Sequence, residues 1–225
     1  MAYGLIKAAG VLVAAGALSI GGWSVATHWA PKASQYPLQG LDLGENPGEV
    51  EWGTVRARGA DFAYLVATSG ADRRAATFEA NWAAVPDAGL RRGAVHLFSL
   101  CQLAADQANA FNAFVPRTDD ALPAAVDVGY RDDCTARPDR AVLVGELKTF
   151  VHMVEMHTRK PVLLRLSKAV ERDYQLSAAI DRPVWAIANL FPPAYAARPW
   201  RMWRASDIRR IDGIDGPVNW DVVAP

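Results

Sequence analysis

Residues 121–134, ALPAAVDVGYRDDC, have the pattern of a buried strand that ends in a polar turn. The run before Asp127 is apolar, and Val128 returns to the apolar pattern directly after it. Because successive side chains of a strand point to opposite faces, Asp127 and residue 129 share a face. A strand end that performs acid chemistry would carry a second acid at that position, where this sequence has Gly129. The stretch therefore predicts a strand end of catalytic type from which one acid is missing.

Short apolar runs alternate with amphipathic segments along the rest of the chain. Together with the first stretch they predict eight strands, over residues 39–43, 61–68, 93–98, 122–128, 161–166, 183–188, 200–205 and 217–222. Helices are predicted over residues 50–58, 75–88, 102–114 and 139–158. Strands that alternate with helices indicate a mainly parallel sheet whose faces are covered.

The connections between the last three strands lack helical periodicity. Residues 189–199 and 206–216 are rich in proline or glycine and are predicted as loops. The fold class is therefore α/β, a single irregular TIM-like (β/α) barrel that is regular in its first five units. Short or missing helices are expected in its last three units, and a hydrophobic helix is expected before the barrel.

Composition narrows the classes of partner. A chain of 225 residues is long enough for one such barrel. Basic and acidic residues balance at 24 each, so we expect no nucleic-acid partner. The four histidines do not cluster and metal-ligand spacings are absent from the sequence, so we expect neither a metal nor another cofactor.

A long uncharged segment lies near the N-terminus, over residues 8–27, directly after Lys7. About 20 mostly apolar residues are enough to cross a bilayer, which predicts a membrane-spanning helix. The basic residue before it orients the rest of the chain outside the cytoplasm, in the periplasm or the extracellular space. A cleaved signal peptide, with residues 24–26 as its cleavage site, is the alternative and would give a secreted protein.

These features divide the chain into three parts. We predict an anchor or signal peptide over residues 1–32, a short linker over 33–38 and one barrel domain over 39–225.

The two cysteines fit an exported protein. Cys101 and Cys134 each follow a predicted strand and therefore lie at the same edge of a parallel sheet. An even count in an exported chain favours a disulfide, and two unrelated buried thiols are the alternative.

Five stretches, in order over residues 39–225, resemble glycoside hydrolase family 25, the lysozymes or N-acetylmuramidases with an irregular α/β barrel. They are GLDLGENPGEVEW (40–52), GADFAYLVATSG (59–70), AGLRRGAVHLF (88–98), LPAAVDVGYRDDC (122–134) and RIDGIDGPVNWDVV (210–223). The resemblance implies cleavage of the bond between N-acetylmuramic acid and N-acetylglucosamine, with peptidoglycan glycan strands as the partner. It assigns the catalytic acids of the first and fourth strands to Asp42 and Asp127.

The sequence departs from the family pattern at the strand ends. The proton donor of the family's Asp-x-Glu motif falls on Gly129, and the aspartate of its closing motif falls on Asn219. We therefore expect a catalytically impaired or non-catalytic member. It would bind cell-wall glycan, or an envelope protein, through the cleft that corresponds to the family's active site. The alternative is an active lysozyme in which Asp127 itself or a nearby substitute serves as the acid, the candidates being Glu45, Asp132 and Asp133.

Arginines replace typical residues of the family on two further strands. Leu164-Arg165 stands where a Tyr-Thr pair is typical, and Arg204-Ala205 where a Gln-Tyr pair is typical. Both arginines, with Asn219, are candidates for substrate binding. The alternative is that they neutralise Asp42 and Asp127 across the mouth, since an unpaired buried charge is costly.

Three aromatic side chains complete the candidate site. His96 is either a core residue or a substrate contact. Trp185 and Trp203 are placed near strand ends, where their rings could stack on a sugar, although strand tryptophans are more often core residues.

Overall fold

The computed structural model describes residues 21–225, which contain a closed barrel of eight strands and a two-residue side strand. The strands are β1 (Gln39–Leu43), β2 (Phe62–Ser69), β3 (Arg73–Arg74), β4 (Arg91–Phe98), β5 (Ala125–Val128), β6 (Leu163–Ser167), β7 (Val184–Ile187), β8 (Trp200–Arg209) and β9 (Val218–Val223). Their order around the barrel is β1-β9-β8-β7-β6-β5-β4-β2, and pairing of β1 with β2 closes it. The side strand β3 pairs antiparallel with the end of β2. The predicted α/β barrel is confirmed.

One barrel strand runs against the others. Strands β1, β2 and β4 to β8 are parallel, whereas β9 pairs antiparallel with both β8 and β1. A short loop therefore suffices between β8 and β9, because antiparallel neighbours need no crossover. The amino-terminal end of β9 lies at the same barrel end as the carboxyl ends of the parallel strands.

Helices cover the first five units. They are α1 (Trp52–Ala57), α2 (Phe78–Asp87), α3 (Ala104–Phe114), α4 (Arg140–Thr158), α5 (Lys168–Tyr174) and α6 (Leu176–Ala179). The apolar stripe of α4 is buried, as its spacing predicts, with each large side chain contributing about 1.5–3 kcal/mol. The connections after β7 and β8 carry no helix in the part of the chain described, as expected for the irregular half.

Three elements differ from the sequence-based expectation. Helices α5 and α6 follow β6, where the sequence pattern indicated none; Ser167 begins α5 by accepting a hydrogen bond from the backbone N–H of Val170. Strand β8 continues to Arg209, through residues predicted as a loop, because it pairs with β9 as far as Val218.

Alternation along each strand separates an apolar core inside the barrel from two apolar cores outside it. One core fills the barrel interior and includes Tyr64, Val95, Leu163, Trp185 and Met202. The larger core lies between the outer face of the barrel and the helices.

The segment before the barrel packs against its outer surface. Residues 21–28 are helical, and the carbonyl of Thr27 accepts a hydrogen bond from the backbone N–H of Arg210. None of the helices within residues 21–225 is both long and apolar enough to span a bilayer. Most of the predicted anchor, residues 8–20, lies outside the described residues.

Candidate functional site

The carboxyl ends of the parallel strands bring together seven polar side chains, which we call the mouth cluster. Its members are Asp42, Asp127, Arg131, Arg165, Arg204, Asn219 and Asp221. The strand register explains six of these positions, because Asp42 lies opposite Asn219, Asp127 opposite Arg165 and Arg204 opposite Asp221. All six strand residues lie at interior positions of the barrel.

Arg165 joins the two aspartates that the sequence assigns as catalytic. Its Nη1 donates to Oδ1 of Asp42 at 2.8 Å, and its Nη2 donates to Oδ2 of Asp127 at 2.9 Å. The Arg165 side chain is only 5% exposed, so this bridge is shielded from water. The predicted neutralisation across the mouth is therefore present in the structure.

Arg204 and Asn219 complete the shell of Asp42. Arg204 donates from Nε to Oδ2 at 2.9 Å and from Nη2 to Oδ1 at 2.7 Å. The amide Nδ2 of Asn219 donates to Oδ1 at 3.1 Å. Burial alone would raise the pKa of Asp42, but the charges of Arg204 and Arg165 outweigh it and hold the pKa below its usual range.

Arg131 is a member of the cluster that the sequence analysis did not identify. It lies in the turn after β5, and its Nη2 donates to Oδ2 of Asp127 at 2.9 Å. Burial opposes ionisation of Asp127, but Arg165 and Arg131 together lower its pKa. At neutral pH both Asp42 and Asp127 are therefore carboxylates without a proton to donate.

Asp221 is the second residue that the sequence analysis missed. It is fully buried, and its Oδ1 accepts a hydrogen bond from Nε1 of Trp185 at 2.7 Å. Burial and the charge of Asp42 raise its pKa well above the usual value. We infer that Asp221 holds a proton and that the cluster, with three guanidinium groups and two carboxylates, carries a net positive charge. The sequence could have indicated Asp221, because residues 219 and 221 lie on the same face of one predicted strand.

The position of Gly129 is open. A Cβ built there would lie 3.9 Å from Nη2 of Arg131 and 4.0 Å from Oδ1 of Asp127, which are ordinary contact distances. A side chain at residue 129 would therefore fit, but it would meet a guanidinium group.

The side chains of the three substitute acids form no hydrogen bond or ion pair with Asp127 in the described residues. Asp133 forms an ion pair with Arg73, which also donates to the hydroxyl of Ser69. Among the hydrogen bonds of residues 21–225, none joins the side chain of Glu45 or Asp132 to the mouth cluster.

His96 does not lie at the mouth, and its candidate role as a substrate contact is corrected. It points outward from β4 into the core beneath the helices, and its ring stacks on Phe150 with centroids 4.6 Å apart. Gln107 donates its amide to the carbonyls of Ser99 and Gln102, so its Oε1 accepts from Nε2–H of His96 at 3.0 Å. Nδ1 then accepts from the hydroxyl of Thr68 at 2.7 Å.

The predicted stacking of Trp185 and Trp203 on a sugar is also corrected, because neither ring is exposed. Trp185 lies inside the barrel, and the guanidinium carbon of Arg165 lies 4.9 Å from its ring centroid. Trp203 lies on the outer face of β8, where it packs against Tyr36 and Trp200. Trp203 and Arg204 are consecutive on one strand, so only one of them can point inward.

The predicted disulfide between Cys101 and Cys134 is present. It ties the turn that carries Arg131 to the loop after β4, and Cys134 pairs with Arg131 across this turn. The covalent bond therefore restrains the segment that presents Arg131 to Asp127.

Within the described residues, this arrangement forms no metal site and presents no largely exposed carboxyl group. Residues 21–225 contain no group of three or more His, Cys, Asp or Glu side chains placed to hold a metal ion. Within the mouth cluster, Asp42 is 2% exposed while Asp127 and Arg204 are each 13% exposed. The mouth is thus filled by its own ion pairs, with a polar and positively charged surface.

Comparison with known proteins places this chain in a family. A sequence model described as Glycosyl hydrolases family 25 matches residues 41–214. The chain is 32% identical to YegX of Escherichia coli strain K12 over 197 residues, covering 84% of this chain and 70% of that protein. It is 24% identical to Lysozyme M1 of Streptomyces globisporus over 202 residues, covering 81% and 66% of the two chains.

A solved structure agrees with these matches. A family 25 glycosyl hydrolase from Bacillus anthracis superposes with a TM-score of 0.80 and 25% identity, covering 88% of this chain and 92% of that one. The family match spans well over half of the chain and includes the strands that carry Asp42, Asp127 and Arg204. The chain belongs to family 25 of the glycosyl hydrolases.

Proposed function

We propose that this chain is a cell-envelope protein that binds peptidoglycan glycan strands through the mouth of its barrel without hydrolysing them. The observation that carries the proposal is the bridge from Asp42 through Arg165 to Asp127, beside a glycine at residue 129.

The argument against hydrolysis starts from the proton. Glycoside cleavage needs one carboxylic acid to protonate the leaving oxygen and a second carboxylate nearby. Asp42 and Asp127 have lowered pKa values and are ionised at neutral pH, and Gly129 has no side chain. Loss of general acid catalysis typically costs about 10²–10⁴-fold in rate.

The argument for binding rests on the surface that remains. The side chains of Arg131 and Arg204 are 23% and 13% exposed. Their N–H groups can donate to sugar hydroxyls and to carboxylates, and the net positive cluster favours anionic groups. Peptidoglycan follows from membership of a family that includes lysozymes, since Lysozyme M1 is among the relatives.

An active lysozyme is the second candidate, and Asp221 is the observation in its favour. Its raised pKa makes it a neutral carboxylic acid in the cluster. It is fully buried, however, behind Asp42 and Arg204, so a glycosidic oxygen would reach it only after both moved.

The deciding experiment uses the purified full-length chain and insoluble peptidoglycan. It measures the release of reducing ends and the fraction of protein that sediments with the glycan. We expect sedimentation without reducing ends, weaker sedimentation for Arg131→Gln, and no change for Arg117→Gln, which alters an exposed arginine outside the cluster.

Two results would contradict the proposal. Reducing ends released by the unmodified chain but not by Asp127→Ala would establish a lysozyme with a substitute acid. Absence of both cleavage and sedimentation would remove glycan as the ligand and leave an envelope protein as the partner.

We also propose that residues 8–27 anchor the chain in a membrane with the barrel outside the cytoplasm. The support is the uncharged run in the sequence and the disulfide, which is typical of oxidising compartments. Alkaline extraction of membranes tests the anchor, since an anchored chain stays in the pellet and a secreted one does not. An alkaline phosphatase domain fused after Pro225 tests the orientation, and an inactive fusion would contradict it.

A further inference from the structure

A cavity opens at the end of the barrel opposite the mouth cluster, where the parallel strands begin. Its volume is about 220 Å³, and its walls include Phe62, Leu163 and Met202 inside the barrel, with Val223 near its opening. Phe62 and Leu163 are the first residues of β2 and β6, and Val223 is the last residue of the antiparallel β9. The cavity is therefore separate from the mouth cluster and from the proposed glycan surface.

Two glycines make room for the aromatic rings that line this cavity. Barrel interiors are normally packed by layers of side chains from alternate strands. At Gly40 a Cβ would lie 2.3 Å from the carbonyl oxygen of Phe62, and at Gly93 a Cβ would lie 2.3 Å from the ring of Tyr64. The rings of Phe62 and Tyr64 occupy the space beside these glycines, so two strands add no side chain to the centre.

The wall is apolar and already ordered. Phe62, Leu163 and Met202 are buried, and the hydroxyl of Tyr64 is fixed by donation to the carbonyl of Pro123 at 3.0 Å. A dry apolar cavity of about 150 Å³ is large enough to bind benzene. Aromatic rings and a methionine sulfur make favourable contacts with an aromatic guest.

The rim carries positive charge. Arg91 and Arg201 are exposed lining residues, and no carboxylate among residues 21–225 forms an ion pair with either of them. The one rim carboxylate, Asp61, is engaged by Arg56 at 3.6 Å and by the backbone N–H of Gln39 at 3.1 Å. Arg201 donates from Nη1 to the carbonyl of Ala224 at 3.2 Å. An apolar pocket whose opening carries two guanidinium groups without a carboxylate partner in the described residues complements a molecule with an apolar body and one anionic end.

We propose that this cavity binds an arylalkyl carboxylate, with the ring between Phe62 and Met202 and the carboxylate at Arg91 and Arg201. The site would give the protein a small-molecule ligand at the opposite end from the mouth. It does not depend on whether the mouth binds or cleaves glycan.

The test titrates the full-length chain with phenylpropionate and, in parallel, with the neutral phenylpropanol, following side-chain methyl signals by NMR. We expect saturable shifts confined to the methyl groups of the lining residues, with the acid binding more tightly than the alcohol. These residues are Leu38, Leu122, Leu163, Met202 and Val223. Arg91→Gln and Arg201→Gln should each weaken the acid about two- to fivefold, as for exposed ion pairs, and leave the alcohol unchanged. Arg74→Gln, an equal change of charge on β3 at the other end of the barrel, is the matched control.

Filling the cavity tests its location. Met202→Trp and Val223→Trp should both abolish binding, and Val223 is the safer position because it is only partly buried. Absence of methyl shifts up to the solubility limit of phenylpropionate would overturn the proposal, as would unchanged binding in a folded Val223→Trp variant. Equal affinity for acid and alcohol, with no effect of either arginine variant, would overturn the anionic class of ligand.

Discussion

Arg131 contacts the carboxylate of Asp127 from the side on which Gly129 leaves an open position, with Nη2 and Oδ2 2.9 Å apart. A guanidinium group thus lies beside the position to which the family resemblance assigns a proton donor. Its presence changes what the restoration of that acid would achieve.

The first prediction concerns Gly129→Glu. The new side chain fits, because its Cβ would have no contact closer than 3.9 Å, but its carboxylate would pair with Arg131 and its pKa would fall. We expect no release of reducing ends from peptidoglycan by this variant. The double variant, Gly129→Glu with Arg131→Ala, should release more reducing ends than Gly129→Glu alone. Equal activity of the two variants would contradict the role given to Arg131.

The second prediction concerns the stability of the mouth cluster. Arg165→Leu removes the partner shared by Asp42 and Asp127 and should lower the free energy of unfolding by about 3–5 kcal/mol, as for other broken buried pairs. Arg117→Leu, at an exposed position, should change it by less than about 0.5 kcal/mol. Denaturant unfolding of both variants measures the difference, and similar effects would show that the ion pairs contribute no specific stability.

The third prediction locates the proton of the cluster. If Asp221 is neutral, Asp221→Asn replaces it with a neutral side chain of the same shape and should cost far less stability than Asp42→Asn. Because its folded pKa is raised, the folded state retains a proton that the unfolded state releases above its ordinary pKa. The stability of the unmodified chain relative to Asp221→Asn should therefore fall as pH rises above about 4. A pH-independent difference would place the proton elsewhere.

The fourth prediction concerns His96. Burial lowers its pKa from 6.5 to about 4, so the folded state excludes a proton that the unfolded state binds below 6.5. Stability linked to His96 is thus complete above pH 6.5 and decreases by an amount on the order of 3 kcal/mol as pH falls towards 4. A long-range nitrogen–proton NMR spectrum should show a neutral ring protonated at Nε2 at pH 6. A charged ring at that pH would contradict the assignment.

The fifth prediction concerns the disulfide. Cys101 and Cys134 are 33 residues apart, and opening a loop of that length should cost about 3–4 kcal/mol in a chain-entropy estimate. The melting temperature should therefore fall under reductant, and the Cys101→Ala, Cys134→Ala variant should melt at the same temperature with or without it. An unchanged melting temperature of the reduced protein would contradict a stabilising disulfide.

Much of the fold was predictable from local patterns. All eight predicted strands overlap barrel strands, and the four predicted helices overlap α1 to α4. The missed helices α5 and α6 are short and follow β6 with only a single turn of apolar spacing, so periodicity gave little signal.

The site was predictable wherever strand order alone decided proximity. Asp42, Asp127, Arg165 and Arg204 lie towards the carboxyl ends of four parallel strands as the sequence predicts them, and a parallel sheet places such ends at one edge. Arg131 was not predictable in this way, since a turn residue has no fixed direction until tertiary contacts, including the Cys101–Cys134 bond, hold it.

The sequence by itself determined the alternation of strands and helices, the cysteine pair at one sheet edge, and the collection of aspartates and arginines around one barrel end. Only the tertiary structure decided which side of each strand faces the interior. In a barrel covered by helices, both faces of a strand are largely apolar. The two-residue period therefore puts His96 and Val95 on opposite faces, and likewise Trp203 and Arg204. It does not say which residue of each pair points inward. In the folded barrel Arg204 points inward, where it pairs with Asp42, while His96 and Trp203 pack outside against other apolar side chains.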